Sequence, residues 1–316
     1  MSRTLSLAAY ALKVWNYEER DCETISDFGD GVDLLDVLTE LFSGLKVKAS
    51  HDKQNQQILS VETLTQNKAN RTLRGIIETG EYGIESNLRD VDTQQIVHKR
   101  KIKEANMLPF YFLLDLPEGT DEGILILQRT GMYGIRKILA SVIDYWFDTK
   151  FSDYRLKLHP LAEPDELQKY KDGQVETVRF IGFDIPGDIA GALRSAHKEF
   201  DGHVELVIRA RRGSFLPLRD RMRRFFDKEV RLDKFIALKE TNFKYQDVKV
   251  KTKVGRSTRT VSLNALKLLR SYYDITDEVQ VNPSTGHPEF GSIDKLAGGL
   301  AERIKKSILK GTYGKS

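Results

Sequence analysis

The chain of 316 residues is poor in the residues that do specialised chemistry: one cysteine, two tryptophans, eight prolines and six histidines. The lone thiol, Cys22, forms no internal disulfide and has no histidine near it in sequence to activate it, so it reads as a packed or idle thiol. Long apolar runs are also missing. The longest, residues 107–114 and 124–127, fall well short of the roughly 18 residues that a bilayer crossing needs. With 40% hydrophobic and 30% charged residues, the composition excludes a disordered chain as well as a helical membrane protein. At the start, Arg3 and the apolar stretch from Leu5 to Leu12 imitate a signal peptide, but the run continues into Lys13, Val14 and Trp15 with strand character. The expected compartment is the cytoplasm.

Catalytic signatures are equally scarce. The closest histidines, His197 and His203, are six residues apart, and none of His51, His98, His159 or His287 adds a metal-binding spacing. Residues Asp27, Phe28, Gly29, Asp30, Gly31, Val32 and Asp33 imitate a calcium loop or a kinase DFG element, yet the bidentate Glu and every accompanying kinase element are missing. The tail ending Gly314, Lys315, Ser316 imitates a P-loop but has Leu309 where the first glycine belongs. No catalytic residue, metal or cofactor is assigned on these grounds.

Charge is where the sequence departs from the ordinary. Lys and Arg number 50 against 46 Asp and Glu, a net +4 that predicts nothing by itself. Residues 209–260 carry 17 basic and 6 acidic side chains, whereas residues 1–208 carry 25 and 34. A chain polarised in this way points to a polyanionic partner, nucleic acid first.

The periodicities predict an α+β protein. Residues 5–17 read as a strand and 31–43 as a helix, with Asp30 and Asp33 placed as N-cap and first-turn acids. Short strands follow at 45–48, 57–65, 72–79 and 94–102, with Gly75, Gly80 and Gly83 marking bulges or bends. Two strongly apolar strands, 108–114 and 123–128, form a hairpin on which an amphipathic helix over 134–148 is expected to lie. Further strands at 154–160, 175–183 and 204–211 are separated by short helical pieces near 165–171 and 188–200. A basic helix over 217–229, a hairpin over 243–263 and a last helix capped by Ser292 complete the pattern. The domain boundary is expected near residue 105, giving a strand-rich acidic domain over 1–105 and a mixed α+β domain over 106–316 with the basic surface.

Two basic elements carry the functional expectation. Residues 209–224 hold Arg209, Arg211, Arg212, Arg219, Arg221, Arg223 and Arg224 against one acid. Strand alternation puts Arg209 and Arg211 on one face, and helical spacing pairs Arg219 with Arg223 and Arg221 with Arg224. Guanidinium groups so spaced fork onto successive phosphate oxygens, although a solvated helix face pairing with nearby acids is the plain alternative. Lys249, Lys251 and Lys253 alternate with Val248, Val250, Thr252 and Val254, and the hairpin adds Arg256 and Arg259, giving five cations and no acid. Lysines of this kind also serve merely to block edge-to-edge strand pairing. Helix and ribbon together are expected to neutralise several phosphates of double-stranded DNA with little sequence preference.

The order of apolar hairpin, helix, strands and basic strand over residues 105–230 resembles the RexA-like phage-exclusion proteins and, more loosely, the KwaB-like phage-defence proteins. The carrying stretches run from Leu108 to Asp115, from Gly123 to Arg129, through the helix from Gly134, from Arg155 to Ala162, from Val178 to Phe183 and from Val204 to Arg211. The resemblance implies an intracellular antiviral protein that binds DNA without strong sequence preference, forms a homodimer and acts beside a membrane protein encoded alongside. Two rivals stand next to it. One is a metal-dependent nuclease built on Asp184, Asp188, Glu199, Asp201 and Glu205; the other is a self-associating module whose basic surface docks on its own acidic part.

Overall fold

Eight consecutive buried residues open the strand Leu5–Asn16, and a strand with no polar face needs a packed layer on each side. The computed structural model provides both. It describes residues 4–29, 31–161, 169–182, 204–227, 229–236, 245–254, 257–263 and 272–309. The chain divides into two compact units, residues 1–161 with 270–316, and residues 162–269.

In the first unit the elements run β1 (Leu5–Asn16), β2 (Asp21–Glu23), α1 (Leu34–Val47), β3 (Ser50–Asp52), β4 (Gln57–Asn67), β5 (Thr72–Glu81), β6 (Ser86–Arg89), β7 (Ile96–Arg100), β8 (Asn106–Asp115), β9 (Gly123–Thr130), β10 (Tyr133–Gly134), α2 (Arg136–Lys150) and β11 (Tyr154–Leu161). The second unit contributes β12 (Gln174–Gly182), β13 (Val204–Arg209), α3 (Arg219–Phe226), β14 (Asp247–Val254) and β15 (Ser257–Ser262). The chain then returns to the first unit with β16 (Tyr272–Asp274) and α4 (Phe290–Leu309).

The main sheet of the first unit has the antiparallel order β11-β1-β9-β8-β5-β4-β3. Alternate residues of β1 enter two separate cores. Ala8, Tyr10, Leu12 and Val14 pack with α1 and α2, whose Leu38, Phe42, Leu139, Ile143 and Phe147 are buried in the same cluster. Leu5, Leu7, Ala9 and Ala11 pack against α4 through Ile293, Ala297, Leu300, Ala301 and Ile304, a helical stripe. Polar pairs fasten α4 to the sheet: Lys305 lies 3.0 Å from the buried Asp115, and Asp294 accepts from Tyr111 and from Arg74, both at 2.7 Å. Burial raises the Asp115 carboxyl above its ordinary range, against the opposing pull of Lys305.

The α+β class expected from the sequence is the class observed. Several details differ. The boundary expected near residue 105 falls inside one sheet, because β5 and β8 pair from Thr72↔Asp115 to Glu81↔Asn106. The excursion between them is a separate two-stranded hairpin, β6 with β7, and the true division follows β11. Residues 45–47 finish α1 rather than start a strand, since Leu45 continues the buried stripe of Leu38, Leu41 and Phe42. Ser292 does not cap α4; the helix starts at Phe290, and the Ser292 hydroxyl accepts from the Gln280 N–H at 2.9 Å. Gly75 pairs with Leu64, one step past a bulge between Val61 and Thr63 of β4, and a β-carbon there would lie 1.9 Å from the Thr63 carbonyl oxygen.

One carboxylate organises the start of α1. Asp33, expected as a first-turn acid, is instead the N-cap and accepts from the Leu35 N–H at 2.8 Å, while Asp30 lies outside the described residues; Asp33 also takes a two-pronged Arg71 guanidinium at 2.7 and 2.8 Å. Burial works against its ionisation, but Arg71 and the Leu35 N–H outweigh it and hold the carboxyl below the usual range. Asp33→Ala is therefore expected to cost about 2 kcal/mol in urea unfolding at neutral pH. A depressed folded-state pKa contributes stability above the unfolded value of about 4 and loses it as pH falls further, so the gap between variant and wild type should close in acid.

Candidate nucleic-acid interface

The second unit is built around one alternation. In β14, Val248, Val250 and Thr252 are fully buried, while Lys249, Lys251 and Lys253 point the other way. The sheet has the antiparallel order β13-β12-β14-β15. Its apolar face, with Val178 and Phe180 of β12, packs against Met222 of α3 and against Phe235. The lysines thus stand on the opposite face of an interior strand. Blocking of edge pairing does not explain them, because β14 is paired on both sides.

Register carries further cations to the same face. Arg179 of β12 is opposite Lys249, and Thr177 is opposite Lys251 on one side and Arg209 of β13 on the other. After β13 the chain turns at Gly213, whose φ of +81° is strained for any residue with a β-carbon. Hydrogen bonds from the Ala210 N–H to the Glu176 carbonyl (2.8 Å) and from the Leu216 N–H to the Val175 carbonyl (2.7 Å) fold this loop back along β12. The result is a cleft of about 770 Å³ lined by Arg179, Arg209, Arg211, Arg212, Lys249, Lys251 and Lys253, with Thr177, Thr260, Ser214 and Phe215 between them. Glu176 is the one carboxylate among the described lining residues, and it pairs with Lys251 at 3.0 Å. Arg179 pairs with Glu205 at 3.2 Å. Among the described residues, Arg209, Arg211, Arg212, Lys249 and Lys253 have no carboxylate within ion-pair distance.

The basic helix behaves differently. Arg223 and Arg219 hold Asp172 at 2.7 and 3.6 Å, Arg224 meets Glu229 at 3.5 Å, and Arg221 donates to the Phe235 carbonyl at 3.0 Å. The Arg223 hydrogen bond, with the neighbouring cations, holds the Asp172 carboxyl below its ordinary range. Since α3 packs through Met222 on the apolar side of the sheet, its arginines do not join the lysine face. The expected single clamp of helix and ribbon is thus divided, and the plain alternative of an ion-paired helix face applies to α3. In the hairpin, Arg256 lies outside the described residues. Arg259 pairs with Thr252 in the backbone ladder, out of phase with the lysines, and its side chain also lies outside them.

Arg179, Thr177 and Phe215 were not singled out by sequence. A lone Arg between Val178 and Phe180 shows no cluster until β12 is set beside β14, although the alternation through Thr177, Val178, Arg179 and Phe180 is a strand signal of the same kind as in β14. Of the carboxylates considered for a nuclease, Asp184, Asp188, Glu199 and Asp201 lie outside the described residues, and Glu205 is tied to Arg179. Among the described residues no group of three or more His, Cys, Asp or Glu side chains is placed to hold a metal ion, and no helix is long and apolar enough to cross a membrane. Cys22 is half-buried and burial raises its thiol above the ordinary value, which fits an unreactive side chain. No protein-family model matches the chain, and no curated protein matches it.

The balance of charge in the cleft is directly testable. Glu176→Gln removes the lining carboxylate and releases Lys251, so the variant should elute from a heparin column at higher salt than wild type.

Proposed function

We propose that the protein binds double-stranded DNA through its phosphate backbone, using the cationic face of the second unit. The observation that carries this reading is the convergence of Arg209, Arg211, Arg212, Lys249 and Lys253, none ion-paired among the described residues, on one cleft with Lys251 and Arg179. Five unpaired cations on one surface repel one another, and a polyanion relieves that repulsion while releasing its own counterions. Lysines two residues apart on β14 are about 6.7 Å apart, which lets one strand of the sheet touch several phosphates in succession. Arg209, Arg211 and Arg212 add forked donors suited to phosphate oxygens. The described lining contains no Asn or Gln, the side chains that pair with adenine edges, so contact with phosphates and indifference to sequence are the expected mode.

The resemblance of residues 105–230 to phage-exclusion proteins supports placing this binding in antiviral defence, where the bound DNA is the target or the tether of the response. A homodimer beside a membrane partner belongs to the same reading. Hydrolysis of DNA is the competing outcome, and inclusion of magnesium in the binding assay separates the two.

The test compares two triple variants on two unrelated duplexes of about 30 base pairs across a salt series. Arg209→Ala, Lys249→Ala and Lys253→Ala together should weaken binding equally for both duplexes and flatten the slope of log K against log salt by about 2.7, from about 0.9 per lost phosphate contact. Arg219→Ala, Arg223→Ala and Arg224→Ala together should leave the slope close to that of wild type. Equal behaviour of the two variants would remove the cleft from the proposal, and fragmentation of the duplex with magnesium would favour the nuclease.

A further inference from the structure

Phe215 is the one aromatic side chain among the described lining residues of the cationic cleft. It is 40% exposed. Its neighbours Leu216 and Leu218 pack against the apolar core of the second unit, whereas Phe215 is not part of that cluster. Among the described residues its ring meets no other aromatic ring. A single exposed apolar side chain is ordinary on a protein surface, but this one stands in a cleft otherwise lined by cations and hydroxyls.

The loop holds the backbone on both sides of this residue. Before it, Gly213 takes a φ of +81° and the Ser214 N–H donates to the Arg211 carbonyl at 2.9 Å; after it, the Leu216 N–H donates to the Val175 carbonyl at 2.7 Å. With the backbone fixed, only two side-chain torsions of Phe215 are left to order when a ligand binds, so the entropic cost of using the ring is small. The flat apolar face it offers is of no use to a phosphate. A base, by contrast, stacks on such a ring whatever its identity, and proteins that hold single strands combine a cationic groove with aromatic side chains for this reason. Within a continuous duplex the faces of each base are already covered by neighbouring pairs. An unpaired base has a face to give, and Arg211 and Arg212 of the same loop suit the phosphates beside it.

Resting on the DNA-binding reading above, we infer that Phe215 is a stacking residue that captures an unpaired base, so that the cleft prefers duplex carrying a single-stranded stretch to continuous duplex. The cations supply the grip on phosphate and Phe215 supplies the discrimination between paired and unpaired nucleotides. Because every base has a π face, this preference is for a structure and leaves the indifference to sequence intact. It is also independent of charge, and that property separates it from the counterion-release contribution of the lysines and arginines.

The test uses the full chain and two probes of equal charge, each a duplex of about 30 base pairs with a single-stranded tail of about five nucleotides. In one probe the tail carries its bases, with the fluorescent base 2-aminopurine at the first unpaired position; in the other every tail nucleotide is abasic. Wild type should bind the first probe roughly fivefold or more tightly than the second, and binding should quench the 2-aminopurine. Phe215→Leu, which keeps an apolar side chain and removes the ring, should bring the ratio of the two affinities to about one and abolish the quenching. Phe215→Tyr should keep both, which separates a lost stacking face from a disturbed loop. Equal wild-type affinity for the two tails, no quenching on binding, or a preference that survives in Phe215→Leu would each overturn the inference. Equal and salt-sensitive binding of both probes would leave the DNA-binding reading standing, whereas absence of binding to either would remove that reading and this inference together.

Discussion

Burial of β1 on both faces is the constraint from which the rest of the first unit follows. A strand that alternates polar and apolar residues is satisfied by one packed layer, whereas Leu5 through Leu12 are buried without interruption and need two. The layer of α1 and α2 is complete at Lys150, before β11 begins. The opposite layer, α4, arrives only at the end of the chain, after residues 162–269 have formed a unit of their own. The closure is reinforced where Ser6, Leu7 and Ala8 pair with β16 and where the Leu5 N–H donates to Thr276 at 2.9 Å. Contacts across more than 260 residues carry a loop-closure cost that local packing does not. The second unit is therefore an insertion within the first, not a domain appended to it.

The second unit shows how one alternation separates stability from function. Its apolar face, with Val178, Phe180, Val248 and Val250 fully buried, supplies on the order of 1.5–3 kcal/mol per side chain. The other face works against folding, because like charges about 6.7 Å apart repel by roughly 0.6 kcal/mol even in bulk water. The α3 ion pairs are mostly exposed and of the kind that contributes about 0–1 kcal/mol each, so they neither decide the fold nor offset the lysine row. A surface on which Arg209, Arg211, Arg212, Lys249 and Lys253 meet no carboxylate among the described residues is intelligible when an external anion neutralises it.

Much of this was legible in the sequence, and the failures have physical causes. The strands around residues 57–65, 72–79, 108–114 and 123–128, the helix α2 and the β14–β15 ribbon follow from period and turn chemistry, and they are observed close to the expected places. The domain boundary was not legible, because a hairpin excursion such as β6–β7 has the same turn-rich, polar texture as a linker, and only the pairing of β5 with β8 shows that the sheet continues across it. The local excess of positive charge over residues 209–260 was visible. What sequence spacing does not carry is the position of the acids. Asp172 lies about 50 residues before the arginines it holds, and Glu229 follows α3 directly, so neutralisation of the helix is a tertiary fact. Arg179 was hidden for the converse reason, being isolated in sequence and clustered only across the sheet.

That distinction bears on how a cationic surface is recognised. Counting arginines favoured the helix, where seven stand within 16 residues of its approach and body, over a strand with three lysines. Geometry reverses the order. A helical row is readily satisfied by carboxylates from the surrounding loops, because its long side chains sweep a wide arc and its neighbours here include Asp172, Asp220 and Glu229. A strand row is fixed in direction by the pleat, and its nearest cross-strand neighbours are dictated by register. For the lysines of β14 those neighbours are Arg179, Thr177 and Gln174 on one side and Ser262, Thr260 and Thr258 on the other, none of them an acid. An alternating basic strand in the interior of a sheet therefore keeps its charge unless a bulge, as at Glu176, brings a carboxylate to it. Lys249 and Lys253 keep their charge because, among the described residues, the strand in which they lie brings no carboxylate to them.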